Sequence, residues 1–369
     1  MQRWFHPKAL ALLITAIDVI KMPDLELSCP LPLQYDQIVM AHGGGGRLMQ
    51  QLLDSIIQAT FSNPILNQKH DSAVLTINGT RLAFTTDSYV VKPLFFPGGD
   101  IGKLAVCGTL NDLAISGAKP LYLSCSLILE EGFAINDLQR IIESMQLAAQ
   151  QAGVLIVTGD TKVVENGSGD GVYINTAGIG ILADNINVSP SRIQVGDSII
   201  INNDIARHGI AIMLEREGMN FDHNITSDCA DLSGLVQNLI QADIDIRCMR
   251  DLTRGGLAST LIELASSAQQ HIEINEITLP IQQDVNSACE ILGFDPLYIA
   301  NEGCFVLFVP KTQTESALTA LHRHPLGQHA SLIGQVKATH PKGLVTLQTA
   351  MGISRVLDLL SGEQLPRIC

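Results

Sequence analysis

The chain has 369 residues, 46% of them hydrophobic and 16% charged, and its 23 Lys and Arg residues against 37 Asp and Glu residues give a formal net charge of −14. This length and apolar content suggest about two domains with a large buried core, which excludes an intrinsically disordered protein. The acidic balance and the lack of a basic run argue against nucleic acid or an anionic membrane as a partner.

Residues 1–36 are predicted to be an extension that precedes the first domain. Basic residues precede the apolar stretch Ala9–Ile17, as in a signal peptide, but Asp18 and Lys21 follow it at once and no A-x-A cleavage site appears. The stretch is also shorter than the ~20 apolar residues that span a bilayer. We therefore expect a non-native or poorly ordered extension, with Met22 as a plausible alternative start.

From Ile38 onward, apolar runs alternate with segments of helical periodicity. The predicted helices follow the glycines Gly43–Gly46, span Ile101–Ser116 and Asn136–Ala152 with Asn136 as the cap, follow Arg254, and span Thr314–Arg323 and residues 351–360. The predicted strands are Ala73–Ile77 and Leu82–Thr86 around an Asn78-Gly79 hairpin turn, Leu121–Leu129, Val154–Val157, Val172–Leu182, Ser198–Asn202, Leu297–Ala300 and Cys304–Val309.

A change of segment near residues 185–195 predicts the domain boundary. We expect an N-terminal domain at 37–188, a C-terminal domain at 189–350 and a tail at 351–369. Pro366 prevents a helix from continuing, so Cys369 is predicted to end an extended, mobile arm.

The cysteines and glycines exclude several common sites. None of the eight cysteines forms a CxxC pair, which argues against a zinc ribbon or a thioredoxin-type site and favours reduced core thiols in the cytoplasm. The glycine-rich segments match neither the P-loop nor the Rossmann pattern, and no G-x-S-x-G elbow occurs.

Scattered carboxylates offer a different chemistry. Hard carboxylate oxygens suit Mg²⁺, which commonly bridges to phosphate oxygens, and nearby Lys103, Lys162 and Arg254 could hold phosphates. Each residue alone has an ordinary alternative: Asp251 could stabilise a helix N-terminus and Asp112 could be solvated on a helix face. The carboxylates in question are Asp71, Asp87, Asp112, Asp160 and Asp251.

Two further residues are candidates for catalysis. Glu302 interrupts two apolar runs, either as a solvated turn residue or as a partly buried acid–base group. Cys369 is either an accidental terminal cysteine or a nucleophilic thiol, with Arg367 favouring the thiolate and the terminal carboxylate opposing it.

Together these segments resemble the hydrogenase expression/formation protein HypE family, within the superfamily of aminoimidazole ribonucleotide synthetases and selenophosphate synthetases. The resemblance covers about residues 38–369, and the terminal LPRIC is its most specific part. The matching segments are TTDSYVV at 85–91, FFPGGDIGKLAVCGT at 95–109, GDTKVV at 159–164, DLTRGGLA at 251–258, NEG at 301–303 and LPRIC at 365–369.

The resemblance implies an α/β fold of two PurM-like sandwich domains, the first of which dimerises through its sheet. It also implies ATP-dependent dehydration of an S-carbamoyl group on Cys369 to a thiocyanate, which supplies a cyanide ligand to [NiFe] hydrogenase iron. The expected partners are the carbamoyltransferase HypF and the iron scaffold of HypC and HypD, and the expected cofactors are ATP and Mg²⁺.

The resemblance assigns roles to individual residues. They are Cys369, Lys162 and Glu302 for catalysis; Lys103, Asn111, Gly159, Asp160, Thr161 and Arg254 for the nucleotide; and Asp71, Asp87, Asp112 and Asp251 for the metal. Two alternatives are a non-catalytic carrier of the same fold and another ATP-dependent enzyme of the superfamily. No cysteine lies near the N-terminal glycines, where a selenophosphate synthetase carries one, and this disfavours that second alternative.

Overall fold

The computed structural model describes residues 35–219, 225–362 and 368–369. The predictions for residues 1–34 and for the arm around Pro366 lie outside the described residues.

Strands and helices alternate along the described chain. The helices are α1 (Arg47–Leu52), continued by a π-helical segment (Leu53–Gln58), α2 (Ala59–Phe61), α3 (Ile101–Ile115), α4 (Ile135–Ala152), α5 (Arg207–Arg216), α6 (Ser233–Gln241), α7 (Gly256–Ala268), α8 (Gln283–Leu292) and α9 (Thr314–His322). The strands are β1 (Ala73–Ile77), β2 (Thr80–Tyr89), β3 (Phe95–Phe96), β4 (Gly99–Asp100), β5 (Lys119–Glu130), β6 (Leu155–Val164), β7 (Val172–Leu182), β8 (Ser198–Ile201), β9 (Cys248–Asp251), β10 (Gln270–Asn275), β11 (Phe305–Val309), β12 (Ser331–Thr339), β13 (Leu344–Gln348) and β14 (Ser354–Val356).

The first large sheet has the strand order β1-β2-β7-β5-β6. Strands β1 and β2 form the predicted hairpin, in which Ile77 pairs with Thr80 across Asn78 and Gly79, both with positive φ. Positive φ at both central residues is the geometry of a type I′ turn, which Asn-Gly favours. Strand β6 pairs with β5 in parallel and forms one edge of this sheet among the described strands.

The second large sheet has the order β14-β13-β10-β12-β8-β11-β9. Strands β8 and β11 are buried along their whole lengths, as their continuous apolar sequences predict. Strand β9 forms the edge of this sheet next to β11. It ends at Asp251, directly before the loop that leads into α7.

Helix α3 connects the two sheets. It packs on β2 and β7 of the first sheet and also contacts α6 and β9 of the second half. Nearly all of its residues are therefore buried, and an apolar stripe on one face would be too narrow for these contacts. The side chain of Asp100 caps its first turn by accepting from the backbone N–H groups of Gly102 and Lys103.

Several predicted elements are wrong. Residues 297–300 were expected to be a strand, but Asp295 caps a 3₁₀ turn at Pro296–Tyr298 instead. Residues 351–360 were expected to be a helix, but the left-handed Gly352 redirects the chain and Ser354–Val356 pairs with β13. Helix α4 is capped by the backbone at Ala134, so the predicted Asn136 cap is wrong.

The remaining predicted helices and strands occur within a few residues of their expected ends, except that β6 extends to Val164. The predicted burial of most cysteines is confirmed for Cys107, Cys229, Cys248, Cys289 and Cys304, all of which are free thiols. Within the described ranges, no helix is both long and apolar enough to cross a membrane.

Candidate active site

A cavity of about 500 Å³ opens between residues of the two halves of the chain. Asp71, Asp87 and Asp112 line it from the N-terminal half, and Asp251, Arg254 and Glu302 line it from the C-terminal half. The structure therefore brings together carboxylates that are up to 231 positions apart (302 minus 71) in the sequence.

The N-terminal carboxylates are positioned by three adjacent elements. Asp71 precedes β1, Asp87 lies on β2 and Asp112 lies on α3, which packs across that sheet. The hydroxyl oxygen of Thr85 lies 2.9 Å from Asp112 Oδ2 and 3.0 Å from the Asp71 backbone oxygen. This hydroxyl connects the strand, the helix and the segment before β1 at one point.

The pairing of β9 with β11 positions the C-terminal carboxylates. Asp251 is the register partner of Phe305. The backbone N–H of Leu252 donates to the Cys304 oxygen at 3.0 Å, and the N–H of Asn301 donates to the Leu252 oxygen at 2.9 Å. Glu302 is thereby held beside the end of β9. Its exposed fraction is 3%, so the interpretation of Glu302 as a solvated turn residue is wrong.

Both backbone groups of Glu302 are held by polar side chains. Its N–H donates to Asp228 Oδ1 at 3.1 Å, and the N–H of Gly303 donates to Asp228 Oδ2 at 3.0 Å. Its carbonyl oxygen accepts from the side-chain amide of Asn111 at 3.2 Å. The carboxyl oxygen Oε1 has no hydrogen-bond partner among the described residues and lies on the cavity wall.

Burial and mutual repulsion raise the pKa values of these carboxylates. Burial raises the pKa of Asp251 to about 8, and the negative charge of Asp71 adds to the shift. Burial, followed by Asp251 and Asp71, also raises the pKa of Asp112 well above its ordinary value. A cation bound among clustered, buried carboxylates would stabilise their ionised form by neutralising their charge.

Asp71 is the carboxylate with a positively charged neighbour in close contact. Arg250 Nε lies 2.6 Å from Asp71 Oδ1, while the pKa of Asp71 is still raised to about 6 by burial. Asp71 Oδ2 has no partner among the described residues. This buried carboxylate oxygen therefore requires a hydrogen-bond donor or a cation that the described residues do not supply.

Sequence reasoning missed His70 and Arg250, which also line the cavity. His70 Nδ1 accepts from the backbone N–H of Asp71 at 2.9 Å, and burial lowers the His70 pKa to about 4. The ring is therefore neutral, with its proton on Nε2. The one available signal was that each residue stands directly beside a predicted metal ligand in the sequence.

The end of the chain is docked at this site. Ile368 forms an antiparallel bridge with Val91, and the backbone N–H of Val90 donates to the Cys369 oxygen at 3.1 Å. Ile368 is buried and Cys369 is partly buried. The end of the arm that was predicted to be mobile is therefore held against the fold in this arrangement of the chain.

The docked thiol is electrically coupled to the cavity. Burial raises the Cys369 pKa to about 12, although the positive charge of Arg254 acts in the opposite direction. Glu302 and Asp87 raise it further. At neutral pH the docked Cys369 is a protonated thiol and a poor nucleophile.

Several other predicted site residues, among them the catalytic candidate Lys162, lie outside this cavity. Gly159, Asp160, Thr161 and Lys162 lie on the exposed edge strand β6, where Lys162 forms a salt bridge of 2.6 Å with Asp160. Lys103 donates to the backbone oxygen of Gly98 at 3.0 Å. These residues lie outside the set that lines the cavity.

Asn111 is buried and makes contacts to the backbone that span the two halves. Its amide nitrogen donates to the oxygens of Ala230 and Glu302, and its oxygen accepts from Leu232 N–H at 2.8 Å. The Asn111 amide therefore has a structural role, and the predicted nucleotide contact of this residue stays a prediction.

Replacing Asn111 by alanine should lower the free energy of unfolding by about 2–4 kcal/mol, because it leaves buried backbone groups without partners. Urea denaturation at pH 7 measures this change. Asn286→Ala is the matched control, since the Asn286 amide donates to Glu290 on the surface of α8. Equal losses in the two variants would contradict the structural role of Asn111.

Known families match both halves of the chain. Residues 69–182 match the N-terminal domain of AIR synthase related proteins, and residues 194–346 match their C-terminal domain. The carbamoyl dehydratase HypE of Rhizobium leguminosarum is 49% identical over 334 residues, covering 90% of this chain and 95% of the relative. The HypE of Azotobacter vinelandii is 47% identical over 339 residues, covering 92% and 99% of the two chains.

Solved structures agree with these similarities. A crystal structure of a HypE–HypF complex superposes with a TM-score of 0.79 at 46% identity, covering 84% of this chain and 99% of that one. HypE in complex with ATP gives 0.76 at 45% identity, covering 90% and 100%. Thiamine monophosphate kinase of Aquifex aeolicus gives 0.62 at 17% identity, covering 84% and 99%, and shares the fold.

Proposed function

The chain belongs to the HypE family of carbamoyl dehydratases, within the AIR synthase related proteins, and we propose that it carries out the family's reaction on the sulfur of Cys369. It is an ATP-dependent carbamoyl dehydratase of hydrogenase maturation. The observation that carries the assignment of the sulfur is the docking of Cys369 against Val90, where its thiol interacts electrostatically with Arg254 and Glu302.

The reaction removes one water from an S-carbamoyl group. ATP phosphorylates the carboxamide oxygen, which makes a poor leaving group into a good one. The oxygen then departs with phosphate, the nitrogen loses both protons, and the carbon and nitrogen remain on sulfur as a thiocyanate. The protein must therefore supply a phosphate-binding site, a base and a means of stabilising charge on the oxygen.

We assign the base to Glu302, whose unpartnered Oε1 is buried at the cavity. Burial raises its pKa well above the ordinary value, and the neighbouring Asp251 and Asp228 add to this shift. A carboxyl with a raised pKa is a stronger base once it is ionised. Arg254 lines the same cavity as Glu302 and carries a positive charge. We propose that it holds the phosphate or the developing oxyanion.

The carboxylate set fits a nucleotide-bound Mg²⁺. Asp71 Oδ2 is buried without a partner, and the raised pKa values of Asp112 and Asp251 show repulsion that a cation relieves. Over the part of the chain that the structure describes, no three His, Cys, Asp or Glu side chains form a ready metal site. We therefore propose that Asp71, Asp87, Asp112 and Asp251 hold Mg²⁺ together with phosphate oxygens, where it neutralises phosphate charge.

We also propose a homodimer that covers β6. This strand is an edge of its sheet among the described strands, and Leu155, Val157 and Val163 are 64%, 58% and 67% exposed. An open edge strand with exposed apolar side chains favours pairing with a second copy. The proposed roles of Gly159, Asp160, Thr161 and Lys162 depend on this dimer, because all four lie on β6.

The proposed partners follow the order of the chemistry. HypF, seen with HypE in the crystal structure of a relative, would load the carbamoyl group on Cys369. The iron scaffold of HypC and HypD would receive the cyano group. We place these exchanges in the cytoplasm, where the free thiols of the chain stay reduced.

Intact-protein mass spectrometry tests the reaction. The protein is incubated with HypF, carbamoyl phosphate and an ATP analogue whose β,γ bond cannot be cleaved, so that no γ-phosphoryl group is transferred during loading. It is then freed of small molecules and divided into samples with and without MgATP. We expect a carbamoyl adduct that loses the mass of one water when MgATP is supplied, and no adduct on Cys369→Ala. Protein that stays unmodified beside an active HypF would contradict the proposal and favour a non-catalytic carrier.

A further inference from the structure

A buried histidine holds the end of the chain. The carbonyl oxygen of Ile368 lies 2.6 Å from Nε2 of His208, which is in the first turn of α5 and fully buried. The ring also makes an edge contact with Phe96, with centroids 5.6 Å apart. His208 lies outside the residues that line the cavity, so it contacts the tail and not the nucleotide site.

The hydrogen bonds of His208 fix its tautomer. A carbonyl oxygen only accepts, so Nε2 carries the proton. The other nitrogen, Nδ1, lies 2.8 Å from Ser227 Oγ and accepts the hydroxyl proton. Ser227 Oγ in turn accepts from the backbone N–H of Cys229 at 3.0 Å, which sets the orientation of its hydroxyl.

The same loop also determines the position of the proposed base. Asp228 follows Ser227 directly and accepts from the backbone N–H groups of Glu302 and Gly303. Two consecutive residues thus hold the docked tail, through His208, and the backbone of Glu302. The same loop therefore positions both the terminal sulfur and the carboxyl group of Glu302.

We propose that His208, oriented by Ser227, is the positioning residue that latches Ile368 and Cys369 in the docked state. This inference deepens the proposed function and rests on it, because loading by HypF requires the tail to leave and dehydration requires it to return. One neutral buried hydrogen bond suits that role, since it orders the tail and is weak enough to break in each cycle.

Alkylation of Cys369 by iodoacetamide measures the undocked fraction without ATP or HypF. The rate is taken from intact masses as the adduct that each variant forms and its Cys369→Ala counterpart does not. We expect His208→Leu, which removes both ring nitrogens at similar volume, to raise this rate about three- to tenfold, the worth of one net hydrogen bond. His208→Gln retains an N–H donor and should restore part of the protection.

His271→Gln is the matched control, because Nε2 of His271 contacts Thr346 Oγ1 at 2.9 Å within the second sheet, away from the tail. Thermal unfolding of all variants verifies the fold. An unchanged alkylation rate in folded His208→Leu, or an equal rise in His271→Gln, would overturn the latch. Failure of the proposed function shows separately, as the absence of ATP-dependent water loss in the wild type.

Discussion

Replacing Glu302 by glutamine should slow the ATP-dependent loss of water from the S-carbamoyl group by about 100- to 10 000-fold, the usual contribution of a general base. Glutamine keeps the shape of the side chain, and the backbone contacts to Asp228 and Asn111 do not involve the carboxyl group. Loading by HypF should therefore proceed. A single-turnover experiment that follows the mass of preloaded protein after addition of MgATP measures the step directly.

The pH dependence of this step has a definite sign. A base acts when ionised, and burial raises the Glu302 pKa, so the wild-type rate of water loss should increase with pH through a range above the ordinary glutamate value. This increase should be absent in Glu302→Gln. Glu273→Gln is the control, because Glu273 pairs with Lys337 at 3.0 Å in the second sheet. A Glu302→Gln rate within threefold of the wild type would refute the assignment of the base.

The sequence predicts the local elements well where one signal dominates. Asn78-Gly79 predicts the first hairpin, and the helical periodicity of residues 136–152 predicts α4, because both depend on neighbouring residues alone. The strand expected at 297–300 and the helix expected at 351–360 are wrong because a proline-led turn and pairing with β13 override short apolar patterns. Short segments of this kind are determined by their partners.

The carboxylates of the cavity can be proposed from sequence, but their convergence cannot. Asp251 and Glu302 meet because β9 pairs with β11 in one register, and Asp112 joins them because α3 is buried between the two halves. The docked position of Cys369 is also out of reach of sequence reasoning, since it depends on contacts with Val91 and His208 far along the chain. The proposed reaction follows from the resemblance to a family, whereas the geometry of the site follows from the fold.

Asp251→Asn should affect stability and nucleotide binding in opposite directions. In the absence of Mg²⁺, burial raises the folded-state pKa of Asp251 from its ordinary value of 3.8 to about 8. The folded state then binds the proton more tightly than the unfolded state, so this group's stabilisation is present at low pH and is lost as pH rises through about 8. The asparagine variant should lose less stability than the wild type between pH 6 and pH 9.

When MgATP is present, the wild type should be more stable than Asp251→Asn. The wild type should gain about 2.7 kcal/mol when MgATP is present at a hundred times its Kd, because a ligand that binds only the folded state stabilises it. Asp251→Asn should lose most of this gain, and its rate of water loss should fall with it, because asparagine cannot supply the negative charge that the cation requires. Melting temperatures measured with ATP, with and without Mg²⁺, at pH 6 and pH 9 separate the two effects.

Asp197→Asn is the matched control for both measurements. Asp197 is buried, its pKa is raised by burial, and its carboxylate accepts from Gln194 N–H at 2.8 Å, away from the cavity. That variant should alter the pH dependence of stability and keep the full MgATP shift. If Asp251→Asn also kept the full MgATP shift, Asp251 would not be needed to hold Mg²⁺ and the metal assignment would fail. The assignment of Glu302 as the base would not be affected, because it has its own test.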